Sequence, residues 1–308
     1  MTFELLAVRF LFSALDSIYF PPGKAANILR GAFGTIFQRS ACAPGCRDAS
    51  TCEIRSSCAY ARIFAATPVG AGPSGLADSP RPFVFRASHL DGRTIPRGEP
   101  FHFDLHLFLA RDQAVLSHFV QAFSQLATEG LGPGRGRAEL QSTALLNENH
   151  EIHDSPRPLV IPLIAGSEPV HRIVVRFLTP TELKVDQGIA ASPDFPVLFA
   201  RARDRIATLR SLYGGGPLDL DFRALGDLSQ QVRMTRCDVT RLEAERRSSR
   251  TGQTHSLGGF VGEAEYEGNL NAFYPFLRAA EWTGVGRQTV WGKGEILCKP
   301  VLQNTRQC

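Results

Sequence analysis

Four cysteines fall within one short span, Cys42, Cys46, Cys52 and Cys58, with the spacing C-x3-C-x5-C-x5-C. The residues between them are mostly Ala, Pro, Gly, Arg, Asp, Ser and Thr, which form loops rather than core. Four soft thiolates on such a span suit a tetrahedral zinc ion or an iron–sulfur cluster. The site would be structural, because every ligand position is taken and none is open for chemistry. Four free thiols on a Cys-rich loop are the plainer alternative. We prefer the metal, because a loop this polar has little core of its own to hold it.

A second set of residues is suited to polyanions. Gly130-Leu-Gly-Pro-Gly-Arg-Gly-Arg137 and Gly284-Val-Gly-Arg287, continuing to Gly292-Lys-Gly294, are glycine-rich and carry cations. Glycine lets backbone N–H groups close on a phosphate, and neighbouring Arg or Lys neutralise it. Arg135, Arg137, Gly284, Gly286, Arg287 and Lys293 are therefore candidate contacts. Arg246, Arg247 and Arg250 form another basic cluster, equally readable as the solvated end of a hairpin. A nucleotide-binding Gly132-x-Gly134-x-Gly136 loop should follow a strand and open a helix. Here the order is reversed, which argues against it.

The elements that must position these loops follow from periodicity. Residues 3–15 read as a buried strand, stopped by Pro21-Pro22-Gly23, and 24–38 as a helix with Ala26, Leu29, Phe33 and Phe37 inward. Residues 101–110, FHFDLHLFLA, alternate, with His102 and His106 on what reads as an exposed sheet face. A helix over 113–129 leads into the first glycine loop and a strand over 138–146. Residues 170–184, 191–212 and 232–245 read as strand, helix and strand. A basic turn holding His255 then opens 256–297: a strand, a helix capped by Asn271, the second glycine loop, and a strand through Val290 and Trp291. The order of elements in the two halves agrees, an internal structural repeat. Each half is a split βαβ unit, so the expected fold is α+β: two tandem ferredoxin-like (βαββαβ, RRM-like) domains. Their ranges are 1–150, with a cysteine-rich insertion at 40–82, and 151–308, with the glycine-rich loop.

The totals bound the setting. In 308 residues, hydrophobic content of 43% and charged content of 21% describe a globular chain. The net charge is only +4, so position and not overall charge must carry the reading. No segment is apolar for long enough to span a membrane. Seven cysteines, an odd number, fit a reducing compartment, and a cytoplasmic protein is expected.

Taken together, several motifs resemble one family. Leu29-Arg-Gly-Ala-Phe-Gly34, Cys58-Ala-Tyr-Ala-Arg-Ile-Phe64, Pro80-Arg-Pro-Phe83 and the loop at 130–137 resemble the N-terminal half of the CRISPR precursor-RNA-processing endoribonucleases of the RAMP superfamily. Phe177-Leu-Thr-Pro180, Ser248-Ser-Arg250, Leu257-Gly-Gly-Phe-Val-Gly262, Tyr266-Glu-Gly268 and the loop at 284–294 resemble its C-terminal half. The resemblance implies a protein that binds CRISPR repeat RNA and cuts it once, without metal, using the RNA's own 2′-hydroxyl. It also implies retention of the product in an effector complex with other CRISPR subunits. Family members often place a histidine before the C-terminal glycine loop and a lysine within it. Here those positions hold Gly284 and Arg287, and the helix over 24–38 has no histidine either. His255 is then the best-placed histidine. A histidine-free site would draw on Tyr19, Lys24, Arg30 or Lys293. A crRNA-binding subunit that does not cleave is the alternative function.

Overall fold

The computed structural model describes all residues except 43–45, 47–51, 66–78, 156, 186–187, 244, 248–253, 257 and 302–308. Eight strands and four helices form its frame. In the first half these are β1 (Thr2–Ala14), α1 (Ala25–Ala41), β2 (Phe83–Arg86), β3 (Pro100–Leu107), α2 (Gln113–Glu129) and β4 (Ala138–Leu146). In the second they are β5 (Arg172–Thr181), α3 (Phe195–Tyr213), β6 (Arg233–Leu242), β7 (Gly259–Glu267), α4 (Tyr274–Thr283) and β8 (Ile296–Pro300). The strand orders are β2-β3-β1-β4 and β6-β7-β5-β8, both antiparallel. Counted within each half, both read second, third, first, fourth, the ferredoxin-like order.

Strand β1 is apolar on both faces because both are covered. Val8, Phe10 and Phe12 point to α1 and α2, into a core with Phe33, Phe103 and Phe123. Phe33 stacks on Phe119 at 4.2 Å and on Phe37 at 5.1 Å. Each buried Phe contributes roughly 1.5–3 kcal/mol. Phe3, Leu5 and Ala7 point the other way and join Ile173, Trp282 and Ile296 of the second half in a shared core. The chain between the halves adds to the first sheet, where Leu159–Pro162 pairs with the start of β1. Gly34 has Phe64 lying where its Cβ would be, so this helical glycine serves close packing.

The structure revises several expectations. His106 is not on an exposed sheet face: it is 1% exposed, because α4 covers that face of β3. Asn271 does not cap α4. Phe273 takes that position, while the Asn271 side chain accepts from Val170 N–H at 2.5 Å. Val290 and Trp291 lie in a single 3₁₀ turn, Thr289–Trp291, and the last strand begins only at Ile296. Gly292 and Gly294 have φ of +79° and +67°, which no strand accommodates.

Candidate functional site

Both glycine loops pack against the stretch from Ser17 to Ala26 that leads into α1. No side chain of its own caps this helix. The Asp91 carboxylate, from a neighbouring loop, accepts from Ala25 N–H at 2.8 Å and does that work. Burial raises the Asp91 pKa, against the pull of the Ala25 N–H and the Lys293 charge. Tyr19 sits in a two-residue ladder with Thr94 and is 45% exposed; Lys24, just before the helix, is exposed. Arg30, nearly two turns on, lies over the Phe64 ring at 4.7 Å and the Trp291 ring at 5.7 Å.

Each loop is fitted to this corner by missing side chains. A Cβ on Gly132 would stand 2.6 Å from the Tyr19 carbonyl oxygen, and one on Gly136 would strike the Ser17 carbonyl. Likewise a Cβ on Gly292 would strike that of Ala26, and one on Gly286 the Glu182 carbonyl. Lys293 is buried, and its Nζ donates to the Gly23 carbonyl at 3.0 Å. Expected as a phosphate contact, it lies in this structure as a strut beneath the start of α1. Burial lowers its pKa, with Asp91 opposing.

The other predicted cations differ in freedom. The Arg287 side chain is 54% exposed but donates to Glu182 at 2.5 Å. Arg137 pairs with Asp16 at 2.7 Å and holds the Asp16 carboxyl below its usual range. Arg135 is exposed, at a positive φ of 51° on the tip of its turn. Arg246 and His255 are cross-strand partners in a short hairpin, Glu245–Arg247 with Thr254–Ser256, continuing the β6–β7 ladder beyond Gly259. Arg247 lies in the same hairpin, and Arg250 falls outside the described residues. Since Phe260 pairs with Thr181 while Gly286 packs on Glu182, hairpin and glycine loop leave the second sheet at one end.

Sequence reasoning missed the group that holds the second loop in place. The last carbonyls of α4 are capped from across the molecule. Arg86 Nη2 donates to Glu281 O at 3.1 Å and Trp282 O at 3.3 Å. His106 Nδ1 lies 2.9 Å from Trp282 O, and Arg205 Nε donates to Thr283 O at 2.9 Å. A helix C-terminus is the negative end of its dipole, so this is where cations belong. Gly284, next in the chain, has Arg86 within 3.3 Å of its would-be Cβ. Arg86 and His106 stand on strands with no motif, leaving only their polarity in apolar runs as a signal.

The cysteines are drawn together after α1. The Cys42 thiol is pushed up to about 12 by burial and by Cys58 and Cys46 beside it. Cys46 is raised as well, with burial and Cys52 the leading causes. The donor set therefore fits a soft cation in kind. Among the described residues, no group of three or more His, Cys, Asp or Glu is placed to hold a metal ion in this structure.

Family comparison agrees with this geometry. The N-terminal domain described as AF_1859_N matches residues 3–163, and the CRISPR-associated endoribonuclease Cas6 model matches residues 175–296. The second half of the chain is a CRISPR-associated Cas6 endoribonuclease domain. A Cas6 product complex is 18% identical, with 97% of this chain and 99% of that one covered and a TM-score of 0.54. Thermus thermophilus Cas6 is 15% identical over 96% and 98%, with a TM-score of 0.55. A partial Cas6-RT-Cas1–Cas2 complex gives 12% identity and a TM-score of 0.56, over 99% of this chain and 47% of that one. These structures share the tandem ferredoxin-like fold. No curated protein matches the sequence. Among the described residues, no helix is long and apolar enough to cross a membrane.

Proposed function

We propose that this chain binds CRISPR repeat RNA across the corner formed by its two glycine loops and the start of α1, and cuts it there once. Supporting this is the convergence itself: loops from opposite halves, each shaped by glycines, flank the exposed Tyr19 and Lys24. In the reaction the RNA's 2′-oxygen attacks the adjacent phosphorus and the P–O5′ bond breaks. The products are a cyclic phosphate and a 5′-hydroxyl, and no metal takes part. A base accepts the 2′-hydroxyl proton and an acid supplies one to O5′. Tyr19, Lys24 and His255 are the candidates for those transfers. Arg30 and Arg287 stay protonated and so stabilise phosphorane charge instead. Arg135, Arg137 and the hairpin arginines extend the RNA track, and the product stays bound within an effector assembly.

A zinc ion or iron–sulfur cluster on Cys42, Cys46, Cys52 and Cys58 would staple the loop after α1, a structural role away from the chemistry. The test of function is incubation of the purified chain with end-labelled repeat RNA in EDTA. A single cut leaving a cyclic phosphate is expected; binding with no cut would instead favour the crRNA-binding subunit, a reading supported by the absence of histidine before His89.

A further inference from the structure

Between the first sheet and the α4–β8 edge lies a cavity of about 120 Å³, walled by both halves. None of its lining residues is Tyr19, Lys24 or a member of either glycine loop. Its floor holds Arg86 and His106, 6% and 1% exposed. Each is only half satisfied. Arg86 uses Nη2 on α4, but among the described residues its Nε and Nη1 have no partner, and neither does His106 Nε2. Burial depresses the His106 pKa, so its ring is neutral. With Nδ1–H donating to Trp282 O, Nε2 is an acceptor. Both residues line the cavity, with two donors and an acceptor between them unpaired, and unpaired buried polar groups are costly.

The lining selects the ligand. A metal ion is disfavoured, because no three His, Cys, Asp or Glu among the described residues are placed to hold one. A phosphate is disfavoured too. The Arg9 charge is taken up by Asp104 through two hydrogen bonds of 2.8 and 2.9 Å, and Glu295 adds a further carboxylate. What fits is a neutral planar ring with donors and acceptors on its edge. At the mouth, the rings of His89 and His102 are already stacked at 4.5 Å, a platform for another ring. We propose that this cavity is a subsite for one unpaired nucleobase of the bound RNA, read by Arg86, His106 and Glu295 and stacked at the His89–His102 rim. Single-stranded RNA offers such splayed bases. The inference rests on the RNA-binding reading above.

The test uses the full chain and fluorescein-labelled hexamers of oligo-A, oligo-C, oligo-G and oligo-U, with an abasic hexamer of equal charge. At least one base series should bind about tenfold more tightly than the abasic strand. His102→Ala should abolish that advantage and leave abasic affinity unchanged. Glu295→Gln should reorder the four bases, which loss of folding cannot do. Equal binding of all five strands, or variants that weaken all five alike, overturns the subsite while RNA binding stands. Failure of both the hexamers and an intact repeat RNA to bind overturns the functional reading and the subsite together.

Discussion

The two glycine loops occupy the same place in two copies of one fold and do different work. The first, 130–137, closes on itself through a Leu131–Gly136 bridge and carries Arg135 out into solvent. The second, 284–294, is wedged between the halves: Gly286 on Glu182, Gly292 on α1, Lys293 under Gly23, and its leading helix capped by Arg86, His106 and Arg205. The repeated fold thus holds two similar loops, and burial of one makes it a joint. A cation on the exposed loop is available to a ligand, whereas a cation on the buried one is already employed in holding the corner together.

The largest expected effect tests that contrast directly. Gly294 has φ of +67°, and a Cβ there would collide with the Val285 carbonyl. Gly294→Ala should lower unfolding stability by about 3 kcal/mol. Gly134→Ala meets nothing within 4 Å and should stay within about 0.5 kcal/mol. Chemical denaturation of the pair measures both, and similar losses would remove the distinction. Next in size is the chemistry at the corner. Tyr19→Phe and Lys24→Ala should each slow single-turnover cleavage about 100-fold, with repeat-RNA affinity nearly unchanged. Normal rates in both, with a slow His255→Ala, would move the reaction to the hairpin.

A pH effect should follow from the joint between the halves. Burial lowers the pKa of His106, His102 and His150 in the folded chain below the ordinary 6.5. Around and just below that value the unfolded chain binds more protons than the folded one. The stability these groups contribute is therefore complete above about pH 6.5 and is lost as pH falls through that value toward their folded pKa. The thermal midpoint should drop between pH 7.5 and 5.5, and His106→Gln should flatten the drop. Equal slopes for the variant and the parent would show that His106 is not part of it.

Much of the frame was readable from periodicity, because alternation and helical spacing report which residues share a face. They do not report what packs against that face. Strand β3 alternates Phe and Leu with His and Asp, the pattern of a sheet open to water. Yet its polar side meets α4, and His106 is buried there. Lys293 is buried for a related reason. Between two glycines it looks mobile, but glycines without Cβ allow the backbone to dock, and docking buries what lies between them. The helix cap was displaced by two residues because Asn271 serves the start of β5 from a turn ahead of α4. For the site, residue type pointed to the loops and to Tyr19, Lys24 and Arg30. Arg86, Asp91 and His106 become visible only once two distant stretches of chain are placed side by side.

The smallest expected effect compares the two loops through their cations. Arg135 is solvent-exposed, so removing it should remove about one counterion's worth of salt dependence from RNA binding. Arg135→Ala should therefore weaken affinity several-fold at low salt and progressively less at high salt. Lys293 is 4% exposed and donates to Gly23. Lys293→Ala should leave the salt slope intact, because a buried ammonium holds no exchangeable counterion, and should instead reduce stability by unpairing the Gly23 carbonyl. Fluorescence anisotropy across a salt series, with thermal melts of the same samples, separates the outcomes. If Lys293→Ala flattens the slope as much as Arg135→Ala does, then the second loop opens when RNA arrives, and its burial describes only the free protein.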